Sequence, residues 1–260
     1  MVLAVNVSNS HILMGAYAGG ERRFCASVHT NLAKSADEYA VQLRSILGLY
    51  GVGPDDMAGA ILSCVVPSML GCVREALGRL CKGRIYIVGP GLKTGVVIRT
   101  EDPAQVGSEL VCCAAAALAL YPPPCLILSL DTATSITALD EMGALRGGAI
   151  MVGVRLGLEA LCARTAQLPQ IDLAAPAGGV LGAGTVASMQ SGAVFGTAAM
   201  LDGMIDRFSD ALGGDPALVG TGTVARVILP HCRHVVRYHD NLVLDGLYLL
   251  YTKNAKERLG

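Results

Sequence analysis

Two short polar stretches, each placed directly after an apolar run, are the residues in this sequence best suited to chemistry. The first is Asn6-Val7-Ser8-Asn9-Ser10-His11, which follows Val2-Leu3-Ala4-Val5. The second is Ser129-Leu130-Asp131-Thr132-Ala133-Thr134, which closes the apolar run that starts at Leu126. Small residues and hydroxyls where a strand turns present backbone N–H groups and side-chain oxygens together, and that combination suits a phosphate. Two such turns facing one central cleft would grip a phosphate chain from both sides.

Other polar clusters carry less. Residues 182–187 and 220–225 each match Gly-x-Gly-x-x-Ala. Neither has the full strand–turn–helix context with a later acidic residue, so a Rossmann dinucleotide site is set aside. No Walker A sequence occurs. His231, Cys232 and His234 fit no common zinc spacing and read as a polar strand end. Asp37 and Glu38 read as helix-start acids rather than catalytic ones. Arg22, Arg23, Lys82 and Arg84 read as solvated loop charges.

The elements that must position the two turns follow from periodicity and turn residues. Strands are predicted over residues 2–5, 12–17 and 24–29, with Gly19-Gly20 turning the chain between the last two. Ser35 stands three residues before Glu38, a capping-box signature for a helix over 36–50. Strands at 60–66 and 85–88 flank a helix at 69–80, and the alanine-rich run 111–121 reads as a buried helix. After Pro122-Pro123-Pro124 the pattern starts again, with strands over 126–130 and 136–139 and a third running into Gly147-Gly148. Helices are predicted over 156–166, 186–212 and 242–255. Each half thus begins strand, small-hydroxyl turn, strand, glycine turn, strand, which predicts a duplicated α/β architecture with lobes at 1–121 and 122–260.

Composition narrows the function classes. A 52% hydrophobic and 16% charged chain of 260 residues is not disordered and buries a substantial core. A net charge of −1 gives no electrostatic basis for binding nucleic acid or an anionic membrane. No apolar stretch approaches the ~20 residues of a membrane span. The first residues carry no basic group before the apolar run, unlike a signal peptide. The nine cysteines form no C-x-x-C pair and read as small buried hydrophobes in a reducing, cytoplasmic compartment.

Several stretches carry a family resemblance. They are Ser35-Ala36-Asp37-Glu38-Tyr39, Ser63-Cys64-Val65-Val66-Pro67, Val88-Gly89-Pro90-Gly91-Leu92-Lys93-Thr94-Gly95, Leu145-Arg146-Gly147-Gly148-Ala149-Ile150, Leu158-Glu159-Ala160-Leu161, Leu168-Pro169 and Met189-Gln190-Ser191-Gly192. Taken in order, they span nearly the whole chain and resemble the type III pantothenate kinases, of the actin-like and sugar-kinase superfamily. The resemblance implies two actin-like ATPase, ribonuclease H-like lobes flanking a central cleft. It implies ATP, Mg²⁺ and a monovalent cation (K⁺ or NH₄⁺) as cofactors, and phosphorylation of pantothenate, the first step of coenzyme A synthesis. It also implies a dimer with the pantothenate pocket at the subunit interface. Such chemistry rests on positioning and charge stabilisation around the phosphates, with a carboxylate near the attacking hydroxyl.

Carried over residue by residue, the resemblance meets departures. The family's first turn reads Asp-x-Gly-Asn-Thr-Asn. Here Asn6 keeps the aspartate's shape without its charge, Ser8 adds a side chain where glycine admits phosphate, Asn9 is retained and Ser10 keeps a hydroxyl. The second turn reads Asp-x-Gly-Thr-Ala-Thr in the family. Thr132 and Thr134 survive, Ser129 replaces the cation-side aspartate, and Asp131 replaces the phosphate-facing glycine. Asp131 shares a strand face with Ser129 and is the alternative holder of the cation, although loss of the cation is the favoured reading. The base motif Gly-Ala-Asp-Arg becomes Gly107-Ser108-Glu109-Leu110, so Glu109 is the candidate base and Leu110 removes a pocket arginine. A helix-start carboxylate is the equal rival reading of Glu109. The interface segment retains Thr185, and the adenosine-side turn Thr221-Gly222-Thr223 lacks one glycine. Five altered parts of one site point to a subunit that transfers phosphate poorly alone and works beside a motif-complete paralogue. A fully active stand-alone kinase and a non-catalytic ligand-binding regulator are the alternatives.

Overall fold

The computed structural model describes residues 1–256. The first series of elements is β1 (Val2–Val7), β2 (His11–Ala18), β3 (Glu21–His29), α1 (Ala36–Leu49), β4 (Gly59–Cys64), α2 (Pro67–Leu80), β5 (Arg84–Ile87) and α3 (Ser108–Leu120). The second is β6 (Cys125–Leu130), β7 (Ala133–Leu139), β8 (Leu145–Val152), α4 (Val154–Arg164), α5 (Thr185–Ser191), α6 (Thr197–Leu212), β9 (Ala217–Thr221), α7 (Ala225–Ile228), β10 (Arg237–Tyr238) and α8 (Leu242–Lys256). One five-stranded sheet runs β3-β2-β1-β4-β5 and the other β8-β7-β6-β9-β10. In each, the first three strands of the series pair antiparallel, the fourth joins the first in parallel, and the fifth joins the fourth in parallel. The two sheets therefore have one topology, and the duplication expected from the repeated strand–turn pattern is present.

The described residues form two compact units. Residues 1–96, 102–119 and 242–256 make the first, and 97–101 with 120–241 make the second. In the first, Leu3, Val5, Val7 and Leu62 of the sheet bury against Tyr39 and Leu43 of α1 and Val73 and Leu77 of α2. Helix α1 begins where the capping box predicts. The Ser35 hydroxyl accepts the Glu38 N–H, and the Glu38 carboxylate accepts the Ser35 N–H at 2.8 Å. In the second unit, Leu126, Leu128 and Leu130 bury against Leu158, Leu201 and Ile205.

Three features differ from the sequence reading. The division at 121/122 places the last helix in the second half, whereas α8 packs on β1, β2 and β4 of the first unit. Its Leu242, Leu244, Leu247 and Leu250 are buried, Tyr248 stacks on Tyr17 at 4.5 Å, and the Asp245 carboxylate accepts from the Tyr17 hydroxyl and from Arg22. The helix predicted over 186–212 is interrupted by a five-residue π-turn, Gly192–Gly196, bounded by glycine at both ends. Strands β9 and β10 carry no sequence signal of their own, because they are short and one is only two residues long.

All nine cysteines are free thiols. Burial pushes the Cys81 thiol up to about 11 and the Cys125 thiol up to about 12. No helix among the described residues is long and apolar enough to cross a membrane.

Candidate functional site

The first turn closes on itself. The Ser8 N–H and hydroxyl both donate to the His11 carbonyl, at 2.9 and 2.8 Å, and the Thr30 hydroxyl donates to the Ser8 carbonyl at 2.7 Å. Asn9 and Ser10 form the tip of this hairpin. Asn6, two residues earlier, lies inside β1 opposite Ser63 of β4 and is 4% exposed. Its Oδ1 is buried with no hydrogen-bond partner. An unsatisfied buried acceptor is costly, so this atom calls for a donor.

Helix α3 brings the candidate base motif to the same sheet. Gly107 precedes the helix and accepts the Val111 N–H. Ser108 shares a 2.9 Å hydrogen bond with the fully buried Ser63, whose hydroxyl also faces the Cys112 thiol. Ser63 therefore ties the first turn of α3 to the strand beside Asn6. Glu109 and Leu110 are both half-buried in that turn. A carboxylate there is favoured by the helix dipole whether or not it takes a proton from a substrate.

In the second unit, β6 and β7 are joined through Asp131 and Thr132. Thr134 lies within β7 rather than in the turn. It is fully buried, and its Oγ1 has no partner, which parallels Asn6 in the first unit. Ser129 pairs across β6–β9 with the buried Thr221. The Asp131 carboxylate accepts the Thr223 N–H at 2.8 Å, joining residues 92 positions apart in the chain. Two glycines hold this turn in place. A Cβ on Gly153 would lie 2.2 Å from the Thr132 carbonyl oxygen, and one on Gly222 would lie 2.4 Å from the Leu130 carbonyl oxygen. Gly222 also has φ +107°, a conformation that L side chains rarely adopt. Thr185 opens α5, where it is exposed.

The structure thus brings Asn6 and Ser108 to one place through Ser63, and Ser129, Asp131 and Gly222 to another. Sequence reasoning missed Ser63 and Gly153 as parts of these sites. Ser63 lies inside one of the stretches that carry the resemblance, but the direction of its side chain is not visible in the sequence. Cavities of about 410 Å³ on Thr94, Leu118 and Lys253, and about 650 Å³ on Leu229, Cys232 and Tyr238, are lined by none of the turn residues. Chemistry outweighs hollow volume here, because neither cavity gathers the turns' hydroxyls and carboxylates.

Any cation such a site needs would have to take its ligands from this donor set. Mg²⁺ favours carboxylates together with phosphate oxygens. The two cation-side positions are an amide, Asn6, and a hydroxyl, Ser129. Asp131 is the one carboxylate of the second turn, and one of its oxygens already takes the Thr223 N–H. No cluster of three or more His, Cys, Asp or Glu that would hold a metal occurs among the described residues. These residues do not fit a protein-held cation, and no step is derived through one.

Comparison with known proteins gives three kinds of similarity. A family model described as type III pantothenate kinase matches residues 2–207. A protein named type III pantothenate kinase from Brevibacillus brevis is 36% identical over 256 residues, covering 98% of this chain and 99% of the relative. One of the same name from Moorella thermoacetica is 34% identical over 98% of this chain and 100% of the relative. Among solved structures, the activator of 2-hydroxyisocaproyl-CoA dehydratase from Clostridium difficile, described with bound ADPNP, matches with TM-score 0.58 at 12% identity, covering 99% of this chain and 96% of that one. Component A of (R)-2-hydroxyglutaryl-CoA dehydratase from Acidaminococcus fermentans matches with TM-score 0.55 at 13% identity, covering 98% of both chains. At such identities these structures share the fold alone.

Proposed function

The chain belongs to the type III pantothenate kinase family, and on that premise we propose that it serves coenzyme A synthesis as a subunit that transfers phosphate poorly alone. In this reading it works beside a motif-complete paralogue in the cytoplasm. The family is one of kinases, which use ATP and a divalent metal, and its substrate is pantothenate.

The observation that carries the reading is the Asp131 carboxylate on the Thr223 N–H. An anion already fills a donor beside the turn where the family pattern places a glycine. The neutral Asn6 and Ser129 point the same way, since neither supplies the carboxylate that a divalent cation would favour. Within this reading Glu109 is the base, Asn9 and Ser10 of the first unit and Thr132 and Gly222 of the second are phosphate-side residues, and Thr134 lies buried behind the second turn. Gly107, Ser108, Leu110 and Thr185 shape the pantothenate pocket.

A stand-alone kinase is the second reading. It is favoured by the near full-length match to relatives bearing that name. An assay of phosphopantothenate formation by the purified chain, alone and mixed with a motif-complete family member, separates the two. Strong activity alone supports the second reading, and activity that rises only on mixing supports the first.

A further inference from the structure

We infer that His11 and His29 form a two-imidazole site for a divalent transition ion of the Zn²⁺, Ni²⁺ and Cu²⁺ class, at the open end of the β2–β3 hairpin. The inference is independent of the kinase reading above. The two residues are direct partners across β2 and β3. Their neighbours Ser10 and Thr30 make the ladder bond at 2.9 Å, so His11 and His29 occupy the next, non-hydrogen-bonded pair, where side chains stand closest. Both are exposed, and their ring centroids lie 4.9 Å apart with the planes tilted by 37°. That separation suits one shared ion. A ligating nitrogen at about 2.0–2.1 Å puts each centroid about 3.2 Å from the metal, so two rings on one ion lie about 4.5 Å apart at a right angle and about 5.2 Å apart at the tetrahedral angle. The observed spacing falls between the two.

Neither imidazole has a hydrogen-bond or ion-pair partner among the described residues, so the ring nitrogens are open to a ligand. The other three histidines are engaged elsewhere. His234 Nε2 meets the Asp206 carboxylate at 2.7 Å, and His231 and His239 pack edge-on against Phe195 and Tyr121. Imidazole suits Zn²⁺, Ni²⁺ and Cu²⁺, whereas Mg²⁺ takes oxygen ligands, so the pair selects the former class. Two protein nitrogens leave the remaining positions to water. The pair also brackets the first turn. The Ser8 N–H and hydroxyl donate to the carbonyl of His11 itself, and Thr30, next to His29, donates its hydroxyl to the Ser8 carbonyl. An ion bridging the two rings therefore ties together the residues that hold the turn and stiffens it.

The test is calorimetric titration of the chelator-washed full chain with Zn²⁺ and with Mg²⁺, on the unmodified protein, on His11→Asn, on His29→Gln and on the double variant. Because the second imidazole binds the ion intramolecularly, either single variant is expected to weaken Zn²⁺ binding by about a hundredfold, and the double variant to add little to that loss. His231→Asn is expected to bind as the unmodified chain does. With Ni²⁺, whose paramagnetism reports position, the ring resonances of His11 and His29 are expected to broaden together and before those of the other histidines. Zn²⁺ is expected to raise the Tm of the unmodified chain but not of the variants, and to slow hydrogen exchange at the Ser8 amide. Zn²⁺ affinity unchanged in both single variants places the ion elsewhere, for instance on the free thiols, and overturns the inference. So does broadening of only one of the two rings. Both variants replace exposed side chains by polar ones, and circular dichroism matching the unmodified chain separates a lost ligand from a lost fold.

Discussion

Side chains at the two turns show how much of a site can be read before its geometry is known. The neutral Asn6 and Ser129 and the acidic Asp131 are visible as types in the sequence. The Asp131–Thr223 bond is not, because it joins residues 92 apart that meet only when β6 and β9 pair. The orphaned Thr134 hydroxyl was equally hidden, since burial depends on what packs over a strand. Glu109 permits a direct test. If it is the base, Glu109→Gln is expected to lower any measured phosphopantothenate formation by about 100-fold or more with little change in KM. An unchanged rate would leave it a helix-start carboxylate. Asp140 permits a test of stability. Burial acts to raise its carboxyl, but the Ala144 N–H, the Arg146 guanidinium and the Met142 N–H outweigh burial and hold it below the usual range. A depressed folded-state value means stabilisation that is present above the unfolded value near 3.9 and lost as pH falls through the folded one. Asp140→Ala is therefore expected to cost about 1 kcal/mol in urea denaturation at pH 7, with the difference shrinking below about pH 4.

Among elements, those with strong local signals were legible. The capping box fixed the start of α1, and the glycine turns fixed β2–β3. Short parallel strands were not, because β9 and β10 draw their pairing from distant neighbours rather than from their own pattern. The destination of α8 was also hidden, since an apolar helix does not announce which sheet it will cover. Its packing predicts that Leu247→Ala destabilises the chain by about 2–5 kcal/mol in urea denaturation, as for other buried leucines. Val41→Ala, on the exposed face of α1, is expected to stay within about 0.5 kcal/mol. Equal effects would mean that α8 does not hold the first sheet. The buried thiols offer a second check. Cys81, Cys112 and Cys125 are expected to resist alkylation at pH 8 in the native protein and to react after denaturation, because burial raises all three.

For the molecule as a whole, two sheets with one strand order identify the duplication more firmly than the sequence did, since no extended identity joins the halves. The outer strand β8 exposes Ile150 at 79% and Val152 at 67%, and the loop after α4 exposes Leu181 at 84%. Apolar side chains this open in one unit suit a subunit interface. Light scattering at micromolar concentration is expected to report a dimer, and Ile150→Lys with Leu181→Lys is expected to shift it to monomer. A monomeric unmodified chain would count against the subunit-interface pocket that the resemblance implies. The central claim, weak transfer by the chain alone, is tested most directly by its turnover of pantothenate with ATP, Mg²⁺ and K⁺. Kinases commonly turn over at about 1–100 s⁻¹, and the purified chain is predicted to fall at least about a hundredfold below that range, rising when a motif-complete family member is added. Turnover on the order of 1 s⁻¹ or faster by the chain alone would contradict it.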